Sequence, residues 1–181
     1  MKITHVINVT LHVKNEFEGR GLKYLNIKID DSYGYKIYNH FKEVYNFIQK
    51  ALTNSDDDTK EIDDVIIIKN KFQSIHLNDD CTNLNDLFDS IQSWTIKNKI
   101  LQILFKNYYS KFKSNSRILI HCSLGVSRSP AFAIMYVMKF FNLNFCEALE
   151  FIKFQRDKSN PICSFINELE DFEKNEFRFD Y

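Results

Sequence analysis

No stretch of this chain constrains the fold more than Ile118-Leu119-Ile120-His121-Cys122-Ser123-Leu124-Gly125-Val126-Ser127-Arg128-Ser129-Pro130. Its first part, Arg117 to His121, is a short apolar run and predicts a buried strand. The apolar run Ala131 to Met138 predicts a helix. Between them the chain must turn within a few residues. A strand, a tight loop and a helix aim several backbone N–H groups and a helix N-terminus at one point, and such a point binds an anion. Cys122 opens the loop and Arg128 closes it. A cysteine facing a helix N-terminus and a guanidinium ionises readily. The guanidinium fork matches two phosphate oxygens. Nucleophile, anion nest and fork together suit attack on a phosphate monoester through a phosphocysteine. A plain core cysteine at a strand end would need neither Gly125 nor Arg128.

His121-Cys122, five residues, then Arg128-Ser129 resembles the signature of the cysteine-dependent protein phosphatases. The ending Gly125-Val126-Ser127-Arg128-Ser129 most resembles the dual-specificity phosphatases. The resemblance implies an α/β fold like that of the protein tyrosine phosphatases, a central, mostly parallel sheet flanked by helices. It continues upstream. Ile3 to Thr10 is similar to the strand that opens the family's core, and Tyr24-Leu25-Asn26-Ile27-Lys28-Ile29-Asp30-Asp31 to the strand and loop carrying its general acid. Phe41 and Phe47 to Ala51 resemble the helix that follows. The family has a further strand and helix before Ile3; their absence here leaves open a shortened gene model or a core with one open edge.

The periodicities agree with this arrangement. Val6, Ile7 and Val9 suit one strand; Tyr24, Leu25, Ile27 and Ile29 suit another. Ile37, Phe41, Val44, Tyr45, Ile48 and Leu52 recur at helical steps. The family passes from this helix to the signature strand by a short connection, and such loops usually run about 2–6 residues. Here residues 53–116 intervene, so the reading is one catalytic domain over residues 1–181 with an insertion at about 53–116. The insertion opens with acidic residues, Asp56 to Asp58 and Glu61 to Asp64, a solvated loop by composition. Val65 to Ile68 suits a short strand, and an apolar stripe from Leu84 to Phe112 suits amphipathic helix packed on the domain. Downstream, Asn144 and Glu147 form a capping box. Asn160-Pro161 predicts the start of a last helix with Phe165, Ile166, Leu169 and Phe172 inward. The family has Pro-Asn there, and Ile162 in place of the asparagine removes a side chain that would brace the phosphate loop.

Formal charge is zero, with 24 basic and 24 acidic residues, so no overall field favours nucleic acid or an acidic membrane. The polar N-terminus is no signal peptide. The apolar run after the signature is too short to span a bilayer. Four cysteines, Cys81, Cys122, Cys146 and Cys163, show no metal-type spacing, so neither metal nor other cofactor is expected. They suit a reducing compartment, cytosol or nucleus.

The expected roles follow. Cys122 is the nucleophile. Arg128 and the backbone N–H groups of Ser123, Leu124, Gly125, Val126, Ser127 and Arg128 hold the phosphoryl group. Ser129 donates to the leaving thiolate, and His121 orients the loop through its ring. Asp31 follows the Ile27, Ile29 alternation and matches the family's acid, with Asp30 facing the other way. Asp79, in Ile75 to Asp80, imitates the same motif inside the insertion and stays open as the alternative. Three functions compete: a phosphatase acting on phosphotyrosine and phosphoserine or phosphothreonine of proteins, a phosphoprotein-binding module without turnover, and a phosphoinositide phosphatase. The last prefers basic loop residues, which Ser123, Leu124 and Val126 do not supply.

Overall fold

Val6 and Ile7 are β-branched at χ1 and sit best on a pleated surface covered on both sides. They lie in strand β1, His5–Asn8, every residue of which is buried. A computed structural model of the chain describes residues 2–53, 94–110 and 115–179. The chain divides into two compact units, one of residues 1–55 with 114–181 and one of 56–113.

In the first unit β1 is the middle strand of a parallel sheet. It pairs on one side with β2, Lys23–Asn26, His5 opposite Lys23. On the other it pairs with β3, Ile118–His121, His5 opposite Ile118 and Asn8 opposite His121. All three strands therefore end at the same edge, and the loops that leave them converge there. Parallel strands need long crossovers, so helices cover the sheet. They are α1, Phe41–Thr53, preceded by a 3-10 turn at Tyr38–His40; α3, Arg128–Phe141; α4, Phe145–Gln155; and α5, Cys163–Lys174. Helix α3 is the buried one, apolar nearly all round, and packs against β3, α1, α4 and α5. Phe41 makes edge contacts with Phe132 and Phe172 where α1, α3 and α5 meet.

Several boundaries differ from the sequence reading. The second strand stops at Asn26. Ile27 carries one more ladder bond, to the Asn8 carbonyl (2.9 Å), and the Ile29 N–H then folds back on the Ile27 carbonyl (3.1 Å). The signature strand is only partly buried: Leu119 is 44% exposed and the other three residues are half-buried. Helix α3 begins at Arg128, placing that residue in the first turn rather than in the loop. The last helix begins at Cys163 with Ile162 as its extended N-cap, so Pro161 stands before the helix and not at its first position. The capping box forms: Asn144 Oδ1 accepts the Glu147 N–H (2.9 Å) and Glu147 Oε2 accepts the Asn144 N–H (3.3 Å).

Two attachments hold the loops around the converging strand ends. After β1, Asn8 Nδ2 donates to the Val13 carbonyl (2.8 Å) and Asn15 Oδ1 (3.0 Å), while Thr10 Oγ1 donates to Asn8 Oδ1 (2.7 Å). After β2, Glu168 of α5 accepts the Tyr38 N–H (2.9 Å) and pins the far end of the loop that follows Asp31. Burial pushes the Glu168 carboxyl above its ordinary range, partly offset by the Tyr38 N–H, Lys36 and the Ile37 N–H.

In the second unit the described element is helix α2, Trp94–Ser110. The expected strand Val65 to Ile68, the motif Ile75 to Asp80 with Asp79, the stripe residues Leu84 to Ile91 and Phe112 lie outside the described residues.

Candidate active site

Cys122 follows β3 directly and is 8% exposed. Its Sγ lies 3.2 Å from the Gly125 N–H and 3.3 Å from Ser129 Oγ. Burial opposes ionisation of this thiol and is the largest single influence on it. The Ser129 hydroxyl, the Ser129 and Gly125 N–H groups and the Arg128 charge together outweigh burial, and the thiol lies below its ordinary pKa. Hydrogen bonds rank ahead of the guanidinium charge in this balance, whereas the sequence reading gave the guanidinium and helix end first place.

The loop turns inside out to make a nest. A trans peptide points its C=O and the next N–H in opposite directions. The Leu124 carbonyl accepts Arg156 Nη2 (3.3 Å), the Gly125 carbonyl accepts Arg156 Nε (2.9 Å), and the Val126 carbonyl accepts the Asn160 N–H (2.7 Å). With three successive carbonyls held outward, the N–H groups of Gly125, Val126 and Ser127 face inward. Gly125 has φ +66°, which a side chain resists, and a Cβ there would stand 3.0 Å from Arg156 Nη2. Among the described residues the N–H groups of Ser123, Leu124, Val126, Ser127 and Arg128 have no protein acceptor. They are free to meet an anion.

Arg128 is 8% exposed. Nη1 donates to the Ile29 carbonyl and Nη2 to Ser123 Oγ, both at 3.2 Å. Nε is buried without a hydrogen-bond partner and faces the Asp31 carboxylate at 3.6 Å, an ion-pair distance too long for a hydrogen bond. Asp31 Oδ1 accepts the Ser127 hydroxyl at 2.5 Å. The structure thus brings Cys122, Ser127, Arg128, Ser129 and Asp31 together.

Two sequence expectations, on Asp30 and Ile162, are corrected. Asp30 does not face away: its Oδ1 is 3.6 Å from Arg128 Nη1. Strand alternation lapses after Asn26, so neighbouring carboxylates both reach the guanidinium. Among the described residues no hydrogen bond joins the His121 ring to the loop, and the His121 carbonyl accepts the Val9 N–H (2.8 Å). The loop is not left unbraced by Ile162, whose backbone N–H donates to Ser127 Oγ (3.1 Å). Arg156, which the sequence alone does not single out, is the loop's principal brace. Among the described residues no three His, Cys, Asp or Glu side chains gather as metal ligands would.

Residues 71–175, more than half of the chain, match the family model described as dual specificity phosphatase, catalytic domain. The match begins inside the segment read as an insertion and leaves out residues 3–52. The chain is 40% identical over 79 residues to dual specificity protein phosphatase 16 of Homo sapiens, across 42% of this chain and 12% of that protein. It is 33% identical over 79 residues to dual specificity protein phosphatase 1B of Arabidopsis thaliana, across 41% of this chain and 47% of that one. The solved structure of DUSP15 superposes with a TM-score of 0.58 at 22% identity, covering 94% of this chain and 70% of that one. That likeness concerns the fold: a small parallel sheet flanked by helices.

Proposed function

The chain belongs to the family of dual-specificity phosphatase catalytic domains, and from that premise we propose that it hydrolyses phosphotyrosine and phosphoserine or phosphothreonine on proteins through a phosphocysteine at Cys122. One observation carries the reading: a thiol of lowered pKa sits under inward N–H groups beside a buried arginine whose Nε has no hydrogen-bond partner. An unpartnered buried donor costs about 1–3 kcal/mol, so the site is completed by an acceptor such as a phosphoryl oxygen.

The Cys122 thiolate attacks phosphorus as the ester P–O bond breaks. Charge spreads over the three phosphoryl oxygens, where the nest and Arg128 stabilise it. Asp31 gives its proton to the departing oxygen. In the second step Asp31 takes a proton from water, water attacks the phosphocysteine, and the S–P bond breaks. The Ser129 hydroxyl, 3.3 Å from Sγ, donates to the thiolate as it leaves. The substrates are phosphorylated proteins, and a thiolate nucleophile requires the reducing cytosol or nucleus.

Cys122→Ser should abolish hydrolysis of an aryl phosphate yet retain binding of a phosphate analogue, because the nest and Arg128 remain. Arg128→Lys should lose both, since a point charge cannot replace the fork. Turnover near wild type in Cys122→Ser would sink the mechanism.

A further inference from the structure

Ser127 is the N-cap of α3, yet its side chain makes no capping bond. A serine there ordinarily gives its oxygen to a first-turn N–H, worth about 1 kcal/mol. Here both functions of the hydroxyl are used across space. Its oxygen accepts the Ile162 N–H (3.1 Å) from the start of α5, and its proton goes to Asp31 Oδ1 (2.5 Å). The residue is 4% exposed, so water does not compete for either bond.

This geometry leaves the hydroxyl little choice. The Ile162 N–H is a donor only, so it must meet a lone pair of Ser127 Oγ. That orients the single proton toward the carboxylate. Asp31 Oδ1 is then an acceptor, and when the carboxyl is protonated its proton belongs on Oδ2. Oδ2 is the oxygen 3.6 Å from Arg128 Nε, the side on which a phosphoryl group would lie. The rest of the acid loop is held elsewhere: Ile29 by Arg128, Tyr38 by Glu168. At the acid itself the Asp31 N–H donates to Asp30 Oδ1 (2.8 Å), and Ser127 supplies the hydrogen bond to the Asp31 carboxylate.

We propose that the Ser127 hydroxyl is a positioning residue for the general acid, fixing the Asp31 carboxyl over the phosphate loop with its transferable proton on Oδ2. The proposal rests on the reading of Asp31 as general acid. It makes the helix cap and the acid one device: Ile162 sets Ser127, Ser127 sets Asp31, and Asp31 protonates the leaving oxygen.

Turnover of substrates with graded leaving groups tests it, from an activated aryl phosphate to a phosphoserine peptide. Ser127→Ala should lose about tenfold or more on the poorest leaving group, a part of the ~10²–10⁴ that proton donation supplies, and several-fold less on the activated ester. Ser127→Cys keeps the size but donates weakly, and should behave the same way if the alanine does not fold. Cys122 alkylation against pH should keep its wild-type profile in Ser127→Ala, the variant that adds no second thiol. In an Asp31→Ala background the serine substitution should add no further leaving-group dependence. Equal losses on all esters, a displaced alkylation profile, or full additivity with Asp31→Ala would overturn the proposal and make Ser127 a loop brace. If Asp31→Ala itself shows no leaving-group dependence, the acid assignment fails first, independently of Ser127.

Discussion

Truncating Arg156 tests whether the nest is made by its outer bracing. Arg156 is exposed and touches neither Cys122 nor the place of the phosphate, yet it holds two of the three outward carbonyls. A hydrogen bond from a charged donor is worth about 1.5–3 kcal/mol when sheltered. Exposed charged contacts fall to about 0–1 kcal/mol. The two bonds differ: Nε to Gly125 at 2.9 Å is well formed, while Nη2 to Leu124 at 3.3 Å is long. Counting the first as roughly 1 kcal/mol and the second as less than half of that gives about 1.4 kcal/mol for Arg156→Ala, a factor of about ten. The Val126 carbonyl keeps its Asn160 partner, so the loop should loosen at Leu124 and Gly125 without collapsing. The loss should fall on phosphate-analogue affinity and kcat/KM, because freed carbonyls can turn inward and take the Gly125 and Val126 N–H groups with them. The same bonds exist in the unliganded fold, so the unfolding midpoint in urea should also fall, by roughly 0.5–1.4 M. Isothermal titration with vanadate, run beside aryl phosphate kinetics, reads both quantities. Wild-type vanadate affinity in Arg156→Ala would refute the argument that these bonds hold the nest open.

Three further outcomes are expected. Ser129→Ala removes the foremost group lowering the Cys122 pKa, so the alkylation profile should move to higher pH and phosphocysteine hydrolysis should slow by about 10–100-fold; an unmoved profile would exclude the contact. His5 is buried on β1 beside Phe47, and burial and then Lys23 lower its pKa. Its folded form binds protons less readily than the unfolded chain, so the stability it contributes is present above the unfolded value of about 6.5 and is lost as pH falls from there through the lower folded value; urea midpoints at about pH 7.5 and about pH 5.5 should diverge more in wild type than in His5→Gln, and parallel behaviour would count against it. Asp79→Ala should keep the wild-type response to leaving group; loss of that response would transfer the acid role to the segment where the family match begins.

Much of the site was legible because it is local. The spacing of Cys122, Gly125 and Arg128 encodes a loop geometry within one turn of chain, and Asn144 with Glu147 encodes a cap in the same way. What escaped lies between segments. Arg156 meets carbonyls 31 and 32 residues away, and no periodicity marks a side chain whose partners are backbone. Ile162 was misread because a brace was sought in its side chain, while the donor is the N–H that nearly every residue carries. Asp30 was misplaced because alternation was extended past the last paired residue of β2. The Ser127 hydroxyl was missed because only the backbone N–H of that residue was counted, as one of the nest.

The position of β1 also sets an order of events during synthesis. Its second partner comes late: Thr4 and Arg117, whose groups bond beside the β1–β3 pair, are 113 residues apart. At about 5–20 residues per second, a ribosome needs roughly 6–23 s to bridge that interval. Throughout it β1 carries one bare edge, and a lone strand pair is marginal in water and a template for foreign strands. Cys122 is the residue after β3, so the edge is closed and the nucleophile delivered by the same few codons. A nascent chain halted before Ile118 therefore lacks both the strand that covers this edge of β1 and the nucleophile.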